Sequence, residues 1–276
     1  MTQIHHALHS FFHGVLSPFP FDAAGWVLLV ISLVTASLSL LVFKYTSNQR
    51  ALERVKNRMK AHLLEIRLFK DSPRIILSAQ LNLLWWNLRY LGLGSKPLLV
   101  LLVPILFLMV QMQCWFGWRP LRPGESFRVV AILRKQNATL LPAVQLVAGE
   151  KIEMEIPPLR VLASEPEINW RLRVLTTGQA QILLGTEKKK ESLPVSLGPE
   201  KFVPVWPEKL KSTWWNNFLA AGQPPLDSDS QFEKLEVEYP EREMNLLGWK
   251  MNWIWVFLLE TLLFSFLLKG VFKVEF

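Results

Sequence analysis

The chain has 276 residues, half of them hydrophobic, a mean hydropathy of +0.21 and a formal charge of +8, a balance that excludes an extended disordered protein. The single cysteine, Cys114, excludes an intrachain disulfide and a cysteine-cluster metal site. The apolar excess is concentrated in three nearly uncharged windows, Trp26 to Phe43, Leu98 to Trp115 and Met251 to Leu268. Each is long enough to cross a hydrocarbon core about 30 Å thick at about 1.5 Å per residue.

Residues 1–25 hold no Lys or Arg. His5, His9 and His13 are four apart, so on a helix they share one face. Imidazoles so placed are able to bind zinc or copper, or simply to rest with Phe11 and Phe12 at a lipid headgroup level. No carboxylate completes a ligand set, so no cofactor is expected. Residues 26–43 form the first span. No basic segment precedes it and no small-residue cleavage site follows, so it reads as a retained span and not a signal peptide. Ser32, Thr35 and Ser39 fall within about 60° of one another on this helix, a hydroxyl stripe suited either to helix packing or to a water-lined path.

Residues 44–96 carry eleven Lys or Arg against three acids, Glu53, Glu65 and Asp71. Leu77, Leu81, Leu84, Leu88 and Leu91 alternate at gaps of four and three, the coiled-coil period. Ser72-Pro73 is a helix start, and Gly92 and Gly94 are expected to stop that helix. Leu52, Val55, Met59, His62, Ile66 and Phe69 repeat the period. The two seams are therefore expected to bury each other as an antiparallel helical hairpin. This segment lacks the aromatic stacking platforms of a nucleic-acid binder, so DNA is not an expected partner. Anionic lipid and ribosomal RNA suit its charge.

Residues 98–116 form the second span, with Pro104 inside it. Residues 117–205 contain short strand-like runs about ten residues apart, the signature of an antiparallel β-sandwich of immunoglobulin-like type with Trp170 as a core anchor. They show no catalytic constellation, so no enzyme is expected. Asn137-Ala138-Thr139 fits a glycosylation sequon. Residues 206–250 read as a linker with interfacial aromatic segments, although Lys234 to Tyr239 alternates like a strand. Residues 251–268 form the third span. Glu260 near its middle, followed by Thr261 and Ser265, is either a functional group or a packing hydrogen bond to Ser32 or Thr35. Residues 269–276 are a short tail.

The positive charge fixes a direction. Residues 117–250 hold eighteen basic and seventeen acidic groups, so the excess lies almost wholly in 44–96. Basic loops stay cytosolic. The expected topology is N-terminus out, basic hairpin in, β-rich domain out and C-terminus in, in a multi-pass protein of the bacterial inner membrane.

The order of these parts resembles the YidC-type membrane protein insertase superfamily, closest to the three-span branch that includes the insertase subunit of the endoplasmic-reticulum membrane protein complex. Asn57-Arg58-Met59-Lys60, Glu65-Ile66 and Phe69-Lys70-Asp71 on the hairpin carry the likeness. So does the run from Gly94-Ser95-Lys96-Pro97-Leu98 to Pro104-Ile105. The chain departs from that pattern in placing a β-rich domain between its second and third spans. The resemblance implies a polar groove through which hydrophobic client segments enter the bilayer without nucleotide hydrolysis. Its lining would be Ser32, Thr35, Ser39, Glu260 and Ser265. Lys44, Arg54, Lys56, Arg58, Met59, Lys60 and Arg67 would meet clients, ribosome or lipid. The alternative is a docking subunit of a larger membrane complex, with the β-sandwich on one side and the hairpin on the other.

Overall fold

A computed structural model describes residues 10, 12–20, 23–69, 71–162, 165–187, 189–198, 202–219, 223–246 and 248–274. The chain folds as two compact units, Met1–Val27 with Leu108–Ile254, and Leu28–Phe107 with Trp255–Phe276. Its helices include α1 (Ala24–Thr46), α2 (Gln49–Leu68), α3 (Pro73–Phe116), α4 (Trp214–Leu219) and α5 (Trp253–Phe272). Three of them, α1, α3 and α5, are long and apolar enough to cross a membrane.

Local sequence signals start these helices, Pro73 as expected and Asn48 in addition. The Asn48 side chain accepts the Ala51 amide at 3.1 Å and caps α2. Pro73 opens α3 with its missing N–H where no intrahelical partner exists. The expected stop at Gly92 and Gly94 does not occur. Instead α3 runs unbroken for 44 residues through both glycines, Pro97 and Pro104. A glycine stops a helix by adopting positive φ, and neither of these does so. Ser95 Oγ donates to the Gly92 carbonyl at 2.8 Å, adding a hydrogen bond just before Pro97, which lacks an amide.

The expected leucine seam also turns the other way. Leu77, Leu81, Leu84, Leu88 and Leu91 are 56–62% exposed. The covered face of α3 is the opposite one, where Ala79 and Pro97 are buried and Leu83, Trp86, Tyr90 and Leu93 are half-buried. These positions repeat the gaps of three and four, so α3 is apolar on two faces, of which one is covered by described residues. On α2, Leu52 and Val55 are buried, whereas Phe69 at the far end of its seam is exposed.

The other unit holds the sheets. A five-stranded sheet runs β3 (Ile152–Val161), β4 (Glu167–Val174), β1 (Ser126–Leu133), β8 (Phe232–Val237), β7 (Glu208–Leu210). A three-stranded sheet runs β2 (Gln145–Val147), β5 (Gly178–Gly185), β6 (Lys190–Leu197), and β9 (Glu243–Leu246) pairs with β10 (Trp249–Asn252). The named pairings are antiparallel. Alternating burial along β1 and β4 sends Val129, Ala131, Ile168 and Trp170 into one core with Ile182, Leu184, Leu193 and Val195 of the three-stranded sheet. The segment 206–250 is more than a linker, because β8 inserts beside β1 and β7 extends the same sheet. Asn137 lies in a 3₁₀ helix, Lys135–Ala143, and its amide donates to the Gln231 carbonyl at 3.3 Å.

Polar bonds tie the two larger sheets together. The Tyr239 hydroxyl, just past β8, accepts the Ser196 amide of β6 at 3.1 Å, and burial holds its phenol pKa well above the ordinary value. Lys209 on β7 reaches Glu191 on β6 at 3.3 Å, with only 9% and 5% of the two side chains exposed. Lys209 Nζ also donates to the Ser192 carbonyl. Arg119 holds Glu125 in a two-bond fork at 2.8 and 2.9 Å where α3 leads into β1, and this hydrogen bonding lowers the Glu125 pKa.

Breaking one half of a buried pair strands the other charge. Lys209→Met alone is expected to destabilise the unit by about 3–5 kcal/mol, and adding Glu191→Leu is expected to recover most of that loss. Urea unfolding of the full chain in detergent, followed by tryptophan fluorescence, measures both.

Candidate functional site

The polar residues of the spans share covered faces. Along α1, Leu28, Ser32, Thr35, Ala36 and Leu40 are buried, at helical spacing, while Leu33, Val34 and Leu38 are exposed. Along α5, Phe257 is buried and Glu260, Thr261, Phe264 and Ser265 are half-buried on one side, with Leu259, Leu262, Leu263 and Phe266 exposed on the other. Ser32, Thr35, Ser39, Ser265 and the one mid-span carboxylate thus lie on the covered faces of their helices, whereas Ser37 lies off that stripe and donates to the Leu33 carbonyl of its own helix.

One bond joins the two faces. Ser32 Oγ donates to Glu260 Oε2 at 2.9 Å, linking residues 228 apart in sequence. Ser32 is fully buried and its small side chain, with Ala36 one turn on, permits close helix approach. Thr35 is buried on the same stripe, and Ser39 is half-buried. Ser265 Oγ donates to the Thr261 carbonyl of its own helix at 2.7 Å. Thr261 Oγ1 is buried with no hydrogen-bond partner among the described residues. The structure therefore brings Ser32 and Glu260 into contact and places Thr35, Ser39 and Ser265 on the flanking covered surface.

A second site lies between α2 and α3, where a cavity of about 550 Å³ opens. Arg54 and Arg58, one turn apart on α2, line it with Arg89 and Trp86 of α3. No acidic side chain lines it among the described residues. Arg89 lies over the Trp86 ring at 5.4 Å, which holds the guanidinium in place. Three guanidiniums on one cavity suit a phosphate or carboxylate. Arg89 escaped the sequence reading because the leucine pattern dominated its helix; its position three residues after Trp86 is the signal that marks it. Of the other expected contact residues, Lys60 and Arg67 are exposed on α2, Lys56 and Met59 are half-buried, and Lys44 lies in the last turn of α1.

The histidine set falls mostly elsewhere. His5 and His9 lie outside the described residues. His13 is exposed, with its ring edge-on to Trp115 at 6.3 Å. No group of three or more potential metal ligands occurs among the described residues.

The chain matches no family model, no curated protein and no solved structure.

The Ser32–Glu260 bond is expected to couple α1 and α5 energetically. In a double-mutant cycle of Ser32→Ala and Glu260→Ala, the two losses should be non-additive by about 1 kcal/mol, the scale of hydrogen bonds between membrane helices. Unfolding of the full chain in mixed micelles measures that coupling.

Proposed function

We propose that this protein is a non-enzymatic membrane insertase of YidC-like type, which eases the entry of hydrophobic client segments into the bacterial inner membrane. The observation that carries this reading is the Ser32–Glu260 hydrogen bond between two apolar helices. A polar pair at that depth is costly in hydrocarbon and is retained where polar groups must cross. In this reading Ser32, Thr35, Ser39, Glu260 and Ser265 supply a polar wall beside lipid. A short hydrophilic client segment passes along that wall while its apolar neighbour enters the bilayer. Burial of about 20 apolar residues drives the step, so no nucleotide is needed.

In this reading residues 44–96 lie in the cytosol, supported by their excess of Lys and Arg. Arg54, Arg58 and Arg89 then face anionic headgroups, ribosomal RNA or acidic client flanks. The β-rich unit, read as immunoglobulin-like, lies on the opposite side of the membrane and serves as a docking module for other complex subunits. Two antiparallel sheets sharing one core around Trp170 support that description.

Depletion followed by quantitative proteomics of the membrane fraction tests the reading. Small membrane proteins with short translocated tails should decline, and the chain carrying Ser32→Leu, Thr35→Leu and Ser39→Leu together should fail to restore them. Normal client levels after depletion would contradict the insertase reading. They would leave the docking-subunit reading, in which loss of partner proteins is the expected outcome.

A further inference from the structure

The exposed leucine seam of α3 has no partner among the described residues. Leu77, Leu81, Leu84, Leu88 and Leu91 are each more than half exposed, and Trp85 beside them is 62% exposed. Contiguous apolar surface of this kind marks an interaction site. Four features decide what covers it.

First, the period is 3.5 residues, which keeps a seam facing another helix over several turns. Second, the seam does not end at the membrane. Ser95, Leu98 and Leu102 continue it at the same gaps, and all three are exposed. Third, α3 is unbroken across Lys96 and Pro97. With the apolar run from Leu98 crossing the bilayer, residues 73–96 project about 36 Å beyond it at 1.5 Å per residue. A helix so projected cannot lie flat on lipid, so hydrocarbon does not cover Leu77 to Leu91. Fourth, the positions flanking the seam are Ser78, Gln80, Trp85 and Asn87, none of them charged.

Uncharged flanks admit an identical helix without like-charge repulsion, where a partner chosen by charge would show complementary e and g residues. Two copies in one membrane share a topology, so their α3 helices are parallel and each leucine layer meets its own counterpart. Gly92 fits the same picture. A Cβ at Gly92 would meet nothing within 4 Å, so packing inside the chain gives no reason for a helical glycine there. Glycine in a helix interior costs about 0.5–1 kcal/mol relative to alanine. Gly92 lies beside Leu88 and Ser95 on the seam side, where small residues let two helices approach closely.

We infer that the protein forms a parallel homodimer through the seam Leu77–Leu102 of α3. The inference goes beyond the insertase reading and holds for either direction of insertion. Single cysteines at Leu81, Leu84, Leu88 and Asn82, in a Cys114→Ala background, test it in native membranes by copper-phenanthroline oxidation. The three seam positions are expected to give a disulfide-linked band of twice the chain mass. Asn82, exposed but off the seam, should give little. Leu84→Gln with Leu88→Gln should abolish crosslinking at Leu81. Those leucines are exposed, so the variant keeps its fold, and unchanged tryptophan emission checks this. Equal crosslinking at Leu84 and Asn82 would overturn the inference. So would a seam crosslink to a protein of different mass, or labelling of the seam by lipid-borne probes without any dimer.

Discussion

The constraint on which the rest depends is the uncovered apolar surface of the spans. Only 6% of the most apolar window of α3 and 11% of that of α5 is buried inside the chain. Packing among the described residues therefore does not hide these windows from water, and their length and apolar composition suit lipid hydrocarbon. Once the helices are in lipid, each polar group on them needs a partner, because water is absent. The placement of Ser32, Thr35, Glu260 and Ser265 on covered faces follows from that demand, and the Ser32–Glu260 bond is its clearest expression.

The same constraint separates the chemistry of the two units. The helical unit carries most of its charges in residues 44–96, where arginines gather around the cavity beside Trp86. The β-rich unit nearly balances its charge and spends its polar groups on internal order. Lys209–Glu191 and Tyr239–Ser196 both cross from one sheet to the other. Such bonds fix how two sheets stack over a shared apolar core, which alone would tolerate several alignments. Arg242 fits the same pattern: it lies over Phe202 at 4.9 Å, and burial pushes its pKa down to about 10. At neutral pH it remains charged, so the aromatic face is a favourable neighbour.

Most strands were legible because β1 and β4 alternate strictly between core and surface. β7, β9 and β10 were not, since three or four residues are too few to show a period: β7 is held by pairing with the more distant β8, and β9 and β10 by pairing with each other. Helix positions were legible in α1 and α5, where polar residues are rare enough to mark the covered side. Glu260 stood out for that reason. In α3 the periodicity was present but ambiguous. Both the leucine face and the Ala79–Trp86–Tyr90 face repeat every 3.5 residues, and the larger side chains drew attention to the face that the chain itself leaves open. Gly92 and Gly94 read as stops because glycine often adopts positive φ after a helix. Here Gly124, Gly178, Gly185, Gly198 and Gly248 adopt it instead.

The functional account rests on the side of the membrane that receives residues 44–96. A cysteine at Lys60 and, separately, one at Glu150, each in a chain lacking Cys114, report that side when an impermeant maleimide is applied to intact cells. Lys60 and Glu150 are both exposed, so reactivity reads location and not burial. The account predicts labelling at Glu150 on intact cells and at Lys60 only after permeabilisation. Labelling of Lys60 on intact cells, with Glu150 protected, would contradict it.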